Sequence, residues 1–164
     1  MPFTPLHVGP GLLIKAMLQG SFSLMIFGWS QILMDIQPLV VIISGKGVLH
    51  GFTHTFAFAT IIAVIAVLTG KHLSEWFLKR VDIPLLKISS RISWNVAFIS
   101  AFLGTYSHVL LDSIMHSDTQ PFYPFAEGNM LLGLVSIQTL RVACLVTGIV
   151  GAIGYVAICN RIKS

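Results

Sequence analysis

The chain has 164 residues, 55% of them hydrophobic and only 10% charged, with a formal net charge of +4 and a mean hydropathy of +0.86. A soluble domain carries about 25% charged residues, so this composition excludes a soluble enzyme and marks an integral membrane protein. No basic and aromatic interleaving supports nucleic-acid binding; the positive charge fits cytoplasmic loops and contact with anionic membrane lipid.

At about 20 apolar residues per spanning helix, the length predicts one all-α domain over residues 1–164. It would be a polytopic helical membrane bundle of about four to five segments. No basic stretch precedes the first apolar run, Lys15 being the first lysine, so no secretory leader is expected.

In chain order, Thr4-Pro5-Leu6-His7 reads as a cap and helix start. Gly11 to Gln19 and Ser21 to Met34 are two apolar runs, each short of a comfortable span, separated at Gly20-Ser21. Together they make either one irregular span or a re-entrant helical hairpin. The hairpin would return Asp35 to the membrane level of His7. Lys15 lies inside this region and must snorkel or face the protein interior. Asp35-Ile36-Gln37-Pro38 breaks the pattern, because proline disfavours a helical residue before it, and periodicity does not settle Leu39 to Ser44. Gly45-Lys46-Gly47 is a turn. A helix is expected from His50, with Phe52 to Thr69 as an apolar span ended by Gly70.

Lys71 to Arg91 is a polar connector carrying Lys71, Lys79, Arg80, Lys87 and Arg91, half of the ten basic residues, with Glu75 and Asp82 and the interfacial anchors Trp76 and Phe77. The positive-inside rule puts it in the cytoplasm. Trp94 to Met115 is the next span, and Ser117 to Asn129 an external loop. Leu131 to Leu140 reads as an interfacial lead-in, and Val142 to Ile158 as the last span. Arg161 and Lys163 then place the C-terminus in the cytoplasm. Cys144 and Cys159, on one helix, would lie over ~20 Å apart, too far to bridge.

The chemistry concentrates around His108, Asp112 and His116. Spaced four apart, they step only ~40° around a helix and share one face of an otherwise apolar segment. Ionisable groups there are costly unless paired or bound to a cation. His50 and His54 form a second pair at the same spacing, able to grip an ion from one helix face. Each histidine alone reads as a hydrogen-bonded packing residue. Taken together, five of six histidines (His7, His50, His54, His108, His116) and four of six carboxylates (Asp35, Asp112, Asp118, Glu127) fall at predicted outer helix ends. That segregation predicts a metal site at the external face, with His7, Asp35, His50, His54, His108, Asp112, His116 and Asp118 as ligands. Imidazole with carboxylate suits Zn²⁺, with Mn²⁺ or Fe²⁺ as alternatives, and the donors suffice for one to three ions. Asp112 is the natural bridge. Asp118, rotated a further ~200°, must act from the loop as a ligand, a histidine-orienting partner or a helix-end residue. Glu127 reads as an ordinary exposed carboxylate.

Thr4-Pro5-Leu6-His7, Asp35-x-Gln37-Pro38, His50-Gly-x-Thr-His54-Thr and His108-x3-Asp112-x3-His116, with Pro124-Phe125 beyond, resemble the YdjM-like family of bacterial inner-membrane, metal-dependent hydrolases. The resemblance implies a multi-pass inner-membrane enzyme, remotely similar to zinc-dependent phospholipase C and P1 nuclease, and hence phosphoester chemistry. Gln37 departs from it, since a second acidic residue is expected there. The expected activity is metal-assisted hydrolysis of a lipid or lipid-linked phosphoester at the external face, with Asp35 or Asp118 as general base. Arg141 would meet a substrate phosphate or anchor the interface, and Tyr123 and Phe125 would line a lipid-facing mouth or pack the loop. The competing readings are a transition-metal binding or transport protein, and a membrane protein whose polar cluster only fixes helix packing.

Overall fold

The computed structural model describes residues 5–80 and 91–163. Thr4, Asp82 and Lys87 lie outside the described residues. Six α-helices carry the fold, and no strand occurs among the described residues: α1 Val8–Leu18, α2 Leu24–Met34, α3 Ile36–Ser44, α4 Phe56–Arg80, α5 Trp94–Met115 and α6 Ile137–Lys163. Their starts follow from short polar side chains that accept orphan backbone N–H groups. Ser23 receives Ile26 N, Thr55 receives Phe58 N, Ser93 receives Val96 N and Ser136 receives Thr139 N. Four helical stretches are long and apolar enough to cross a membrane: Leu24–Ser44, Phe56–Arg80, Trp94–Met115 and Ile137–Arg161.

The N-terminal region is a helical hairpin. A single 3₁₀ turn at Gln19–Ser21 separates α1 from α2, and each of these helices, 11 residues long, extends only about 16 Å. Lys15 Nζ donates to the Gln19 and Phe22 carbonyls at 2.7 Å each, so the buried-side ammonium closes the turn and needs no counter-ion. The hairpin tip meets α5 at Ser100, where Ser23 N donates to Ser100 Oγ at 2.8 Å. At about 1.5 Å per residue, that is ~9 Å above the start of α5. Both hairpin ends return to the opposite end of the bundle, where His7 and Asp35 both approach His108.

Small residues set the packing. Ala59, Ala63, Ala66, Ala97 and Ala101 are fully buried where α2, α4 and α5 meet, with Ile26, Val67, Met34 and Val109 between them. α1 and α6 run parallel along a glycine seam. Gly9 faces the Cys144 carbonyl, Gly148 faces Gly9, Gly151 faces the backbone of Leu12 and Leu13, and Gly154 faces Ala16. Close backbone approach of this kind is how helices associate where burying apolar surface gives no gain over lipid.

Several local expectations are corrected. Gly70 does not end α4; the helix continues to Arg80, and Gly70 makes room for the Trp29 indole, whose Nε1 donates to Thr69 at 2.9 Å. The first half of the expected connector is therefore helical, and Glu75 accepts from both Lys71 Nζ at 2.6 Å and Ile92 N at 2.9 Å. His50 precedes the helix it was expected to open. Thr55 is the cap, so His54 sits in a 3₁₀ turn, Phe52–His54, and His50 in the turn before it. Asp35 ends α2 as the proline suggests, yet the chain re-enters a helix at Ile36, because Pro38 lies in the first turn of α3, where its missing N–H is not needed. Leu39 to Ser44 is thereby helical, closed by Gly45 in the left-handed region at φ 66°. The expected lead-in to the last span becomes helical from Ile137, which puts Arg141 one turn inside α6.

The glycine seam yields a prediction. Gly151→Val should force α1 off α6 and lower stability by about 1–3 kcal/mol, read as a fall in the thermal unfolding midpoint. Gly20→Ala, where nothing lies within 4 Å of the added carbon, should change it little.

Candidate metal centre

The hairpin, the turn before α4 and the end of α5 bring their polar residues to one end of the bundle. His7, Asp35, His50, His54, His108 and Asp112 are all buried there, His116 is half-buried, and the Asp118 side chain is 39% exposed. Asp112 occupies the middle. Its Oδ1 lies 3.7 Å from His7 Nε2 and 3.9 Å from His116 Nε2, and its Oδ2 lies 3.0 Å from His108 Nε2 and 3.4 Å from His54 Nε2. Asp35 Oδ1 is 3.4 Å from His108 Nε2. A tetrahedral ion with bonds of about 2.0–2.1 Å has ligand-to-ligand edges of roughly 3.3 Å, and these spacings bracket that value. The chemistry of the donors fits as well. Both ring nitrogens of His7, together with His54 Nε2 and His108 Nε2, are buried without a hydrogen-bond partner, and orphaned buried polar atoms are otherwise rare. These buried His and Asp groups could hold a metal ion.

The rings are held from behind. Gln31 Nε2 donates to the Gly104 carbonyl at 2.9 Å, which turns its Oε1 to the His108 Nδ1–H at 2.5 Å. His54 Nδ1–H donates to Thr53 Oγ1 at 3.0 Å, and that hydroxyl donates to Gln37 Oε1. His50 Nδ1–H donates to Asp118 Oδ1 at 2.9 Å, while Asp118 Oδ2 accepts His50 N at 3.2 Å. In each case the outer nitrogen is the donor, leaving the Nε2 lone pair for the centre. Burial lowers the basicity of the His7, His54 and His116 rings, with His7 brought down to about 4. These imidazoles are therefore neutral, as ligands must be. Burial pushes the Asp118 carboxyl up, but its bonds to the His50 ring and backbone outweigh that and hold it below the usual range.

The expected helical triplet is in fact a pair. α5 ends at Met115 and His116 is extended, at φ −117° and ψ 126°, so it reaches Asp112 from beyond the helix. It stacks on His50, with ring centroids 4.0 Å apart. Nor do His50 and His54 share a helix face, although their rings meet at 5.1 Å. Asp118 acts from the loop through His50. Glu127 is exposed in the loop and joins none of the donor groups; Tyr123 and Phe125 are likewise exposed. Arg141 lines a cleft beside His7. Gln31, Thr53 and Asn129 escaped sequence reading. Gln31 had a signal, a lone amide in the apolar run one turn before Asp35. Asn129 had none, because it braces the loop after α5 through Ser113 O at 2.8 Å, His116 O at 3.1 Å and Thr119 Oγ1 at 2.8 Å. Gln37, expected to be acidic, needs only a carbonyl oxygen to hold Thr53.

The relay behind His108 is testable. Gln31→Leu should leave the helical content intact and weaken metal binding about 10- to 100-fold, measured by competition with a chromogenic chelator.

A model of a family described as YdjM inner membrane protein matches residues 14–163, a stretch that begins after His7 and includes the other donors. No curated protein and no solved structure matches the chain.

Proposed function

Because the chain belongs to the YdjM inner membrane protein family, we propose that its buried His and Asp cluster is the active site of a membrane-bound, metal-dependent hydrolase. The observation that carries this reading is the set of buried Nε2 atoms without hydrogen-bond partners, those of His7, His54 and His108, converging on both oxygens of one carboxylate. Two donor groups share Asp112: His54, His108 and Asp35 on the Oδ2 side, His7 and His116 on the Oδ1 side. Zn²⁺ would suit these donors, and the two sets that share Asp112 would suffice for two ions. When bound, such ions lower the pKa of a bound water towards ~7 and polarise a phosphoryl oxygen.

The protein groups divide the remaining work. Asp118, with both oxygens turned to His50, positions that ring. Asp35 is the carboxylate left to take the proton of the attacking water as well as to bind. The proposed substrate is a phosphoester of a lipid or lipid-linked molecule, in keeping with the membrane setting and with the phosphoester chemistry that the motif resemblance implies. The basic end of α4, with Lys79 and Arg80, and Arg161 near the end of α6 favour an orientation with those ends in the cytoplasm and the cluster at the external face. The reading is preferred to an ion conduit because, among the described residues, no further His, Asp or Glu lies on the helices between the cluster and His72 and Glu75 in the last third of α4.

Elemental analysis of the purified protein should find about two transition-metal ions per chain, and a fully metal-free yet active preparation would sink the proposal. Asp112→Asn should lose both metal and phosphoester hydrolysis. Metal-dependent flux into liposomes without turnover would reverse the choice in favour of transport.

A further inference from the structure

The depth of the donor cluster follows from the helices that carry it. Lys71 Nζ lies 5.0 Å from the centre of the Trp94 ring, and His72 meets the same ring edge-on, so α4 and α5 share one polar level there. Charged side chains of this kind mark where the hydrocarbon ends. Asp112 follows Trp94 by 18 residues and His54 precedes Lys71 by 17, which puts the cluster roughly 25–27 Å from that level. The hydrocarbon core of a bilayer is about 30 Å thick. The cluster therefore lies just inside its far boundary.

Exposed apolar side chains nevertheless continue past this level. Ile32, Ile36, Val40 and Ile43 follow one another at helical spacing and all are exposed, Ile43 at 77%. Asp35, between α2 and α3, keeps helical dihedrals of φ −79° and ψ −4°, so one apolar stripe runs from the lipid-facing side of α2 into α3. The other side of α3 is turned to the protein, where Pro38 is buried and Gln37 accepts from Thr53 N. Lys46 is the one charge in residues 36–49. The loop after α5 repeats the pattern. It exposes Phe125 at 89%, Met130 and Leu134, and residues 117–136 hold only Asp118 and Glu127 as charges. Both excursions leave from the cluster, and such apolar surface in water marks a membrane contact. We propose that α3 and the loop after α5 form an apolar collar seated in the leaflet at this end of the bundle. Ile36, Val40, Ile43 and Phe125 lie among the upper acyl carbons, and Lys46 reaches up to the phosphates. The occupant is lipid because the stripe on α3 continues the one that α2 presents to lipid within the span Leu24–Ser44. The collar carries the leaflet past the cluster, which thereby meets a lipid at its glycerol and phosphate while the acyl chains stay in the bilayer. The seating stands without the hydrolase reading; what the centre does to the lipid rests on that reading.

The test uses the full chain with its metal in nanodiscs of phosphatidylglycerol and phosphatidylcholine. In a Cys144→Ala, Cys159→Ala background, Val40→Cys, Ile43→Cys, Phe125→Cys and Lys46→Cys are made singly and labelled with bimane. The labels at positions 40, 43 and 125 should be quenched by phosphatidylcholine brominated on its acyl chains and be severalfold less open to aqueous iodide than the label at position 46. Iodide reaching all four alike would place the collar in water and overturn the proposal. Shielding from iodide without quenching by the brominated lipid would mean that a second copy of the chain covers the collar, and would overturn it too. Hydrolysis of the same lipids separates the two readings. Acyl-chain quenching at the collar with no hydrolysis defeats the enzyme and keeps the collar; hydrolysis by a protein whose collar is open to iodide does the opposite. If both hold, Val40→Asp with Ile43→Asp should cut turnover of the bilayer lipid severalfold, with metal content and turnover of monomeric dihexanoylphosphatidylcholine unchanged. An equal loss on both substrates would overturn the collar's part in presenting lipid.

Discussion

One carboxylate holds the functional end of this molecule together. Asp112 is buried among side chains from the first 3₁₀ turn, the turn before α4, α5 itself and the segment after α5, and each of its oxygens faces two imidazoles. A lone carboxylate at such a depth would cost several kcal/mol, so it is stable there only with cationic or proton-donating neighbours. The helices can approach closely enough to supply them because alanine and glycine line their contacts. The small-residue core and the polar cluster are thus two parts of one constraint.

The second ring of contacts explains why so many amides and hydroxyls sit in an apolar bundle. A histidine serves a metal only in one tautomer, and the neighbour of its other nitrogen selects that tautomer. Here an amide, a threonine hydroxyl and a carboxylate perform that task for His108, His54 and His50. Each relay ends on a group fixed by backbone. Gln31 is anchored to the Gly104 carbonyl, and Asp118 to the His50 N–H.

Much of this was legible in the sequence because the signals were strong in different ways. The scarcity of charge forced a membrane bundle, Trp94 to Met115 was bounded as read, and the clustering of histidines at one set of helix ends survived intact. What failed were inferences that treated spacing as geometry. A spacing of four, as between His50 and His54 or Asp112 and His116, implies a shared face only inside a helix, and the Thr55 cap and the end of α5 at Met115 took both pairs out of one. Gly70 looked like a stop because a glycine's packing role depends on a partner, Trp29, that is distant in sequence. Asn129 was invisible for the same reason: its importance lies wholly in what it touches.

The place of Asp112 on α5 also has a consequence for biosynthesis. His7, Asp35, His50 and His54 all leave the ribosome before the carboxylate they surround. The hairpin and α4 are therefore made while their donors still lack a common partner, and the centre closes only when α5 joins them. His116, Asn129 and the start of α6 come later still and close the last side. A chain halted between α4 and α5 would hold half of the donors and none of the geometry.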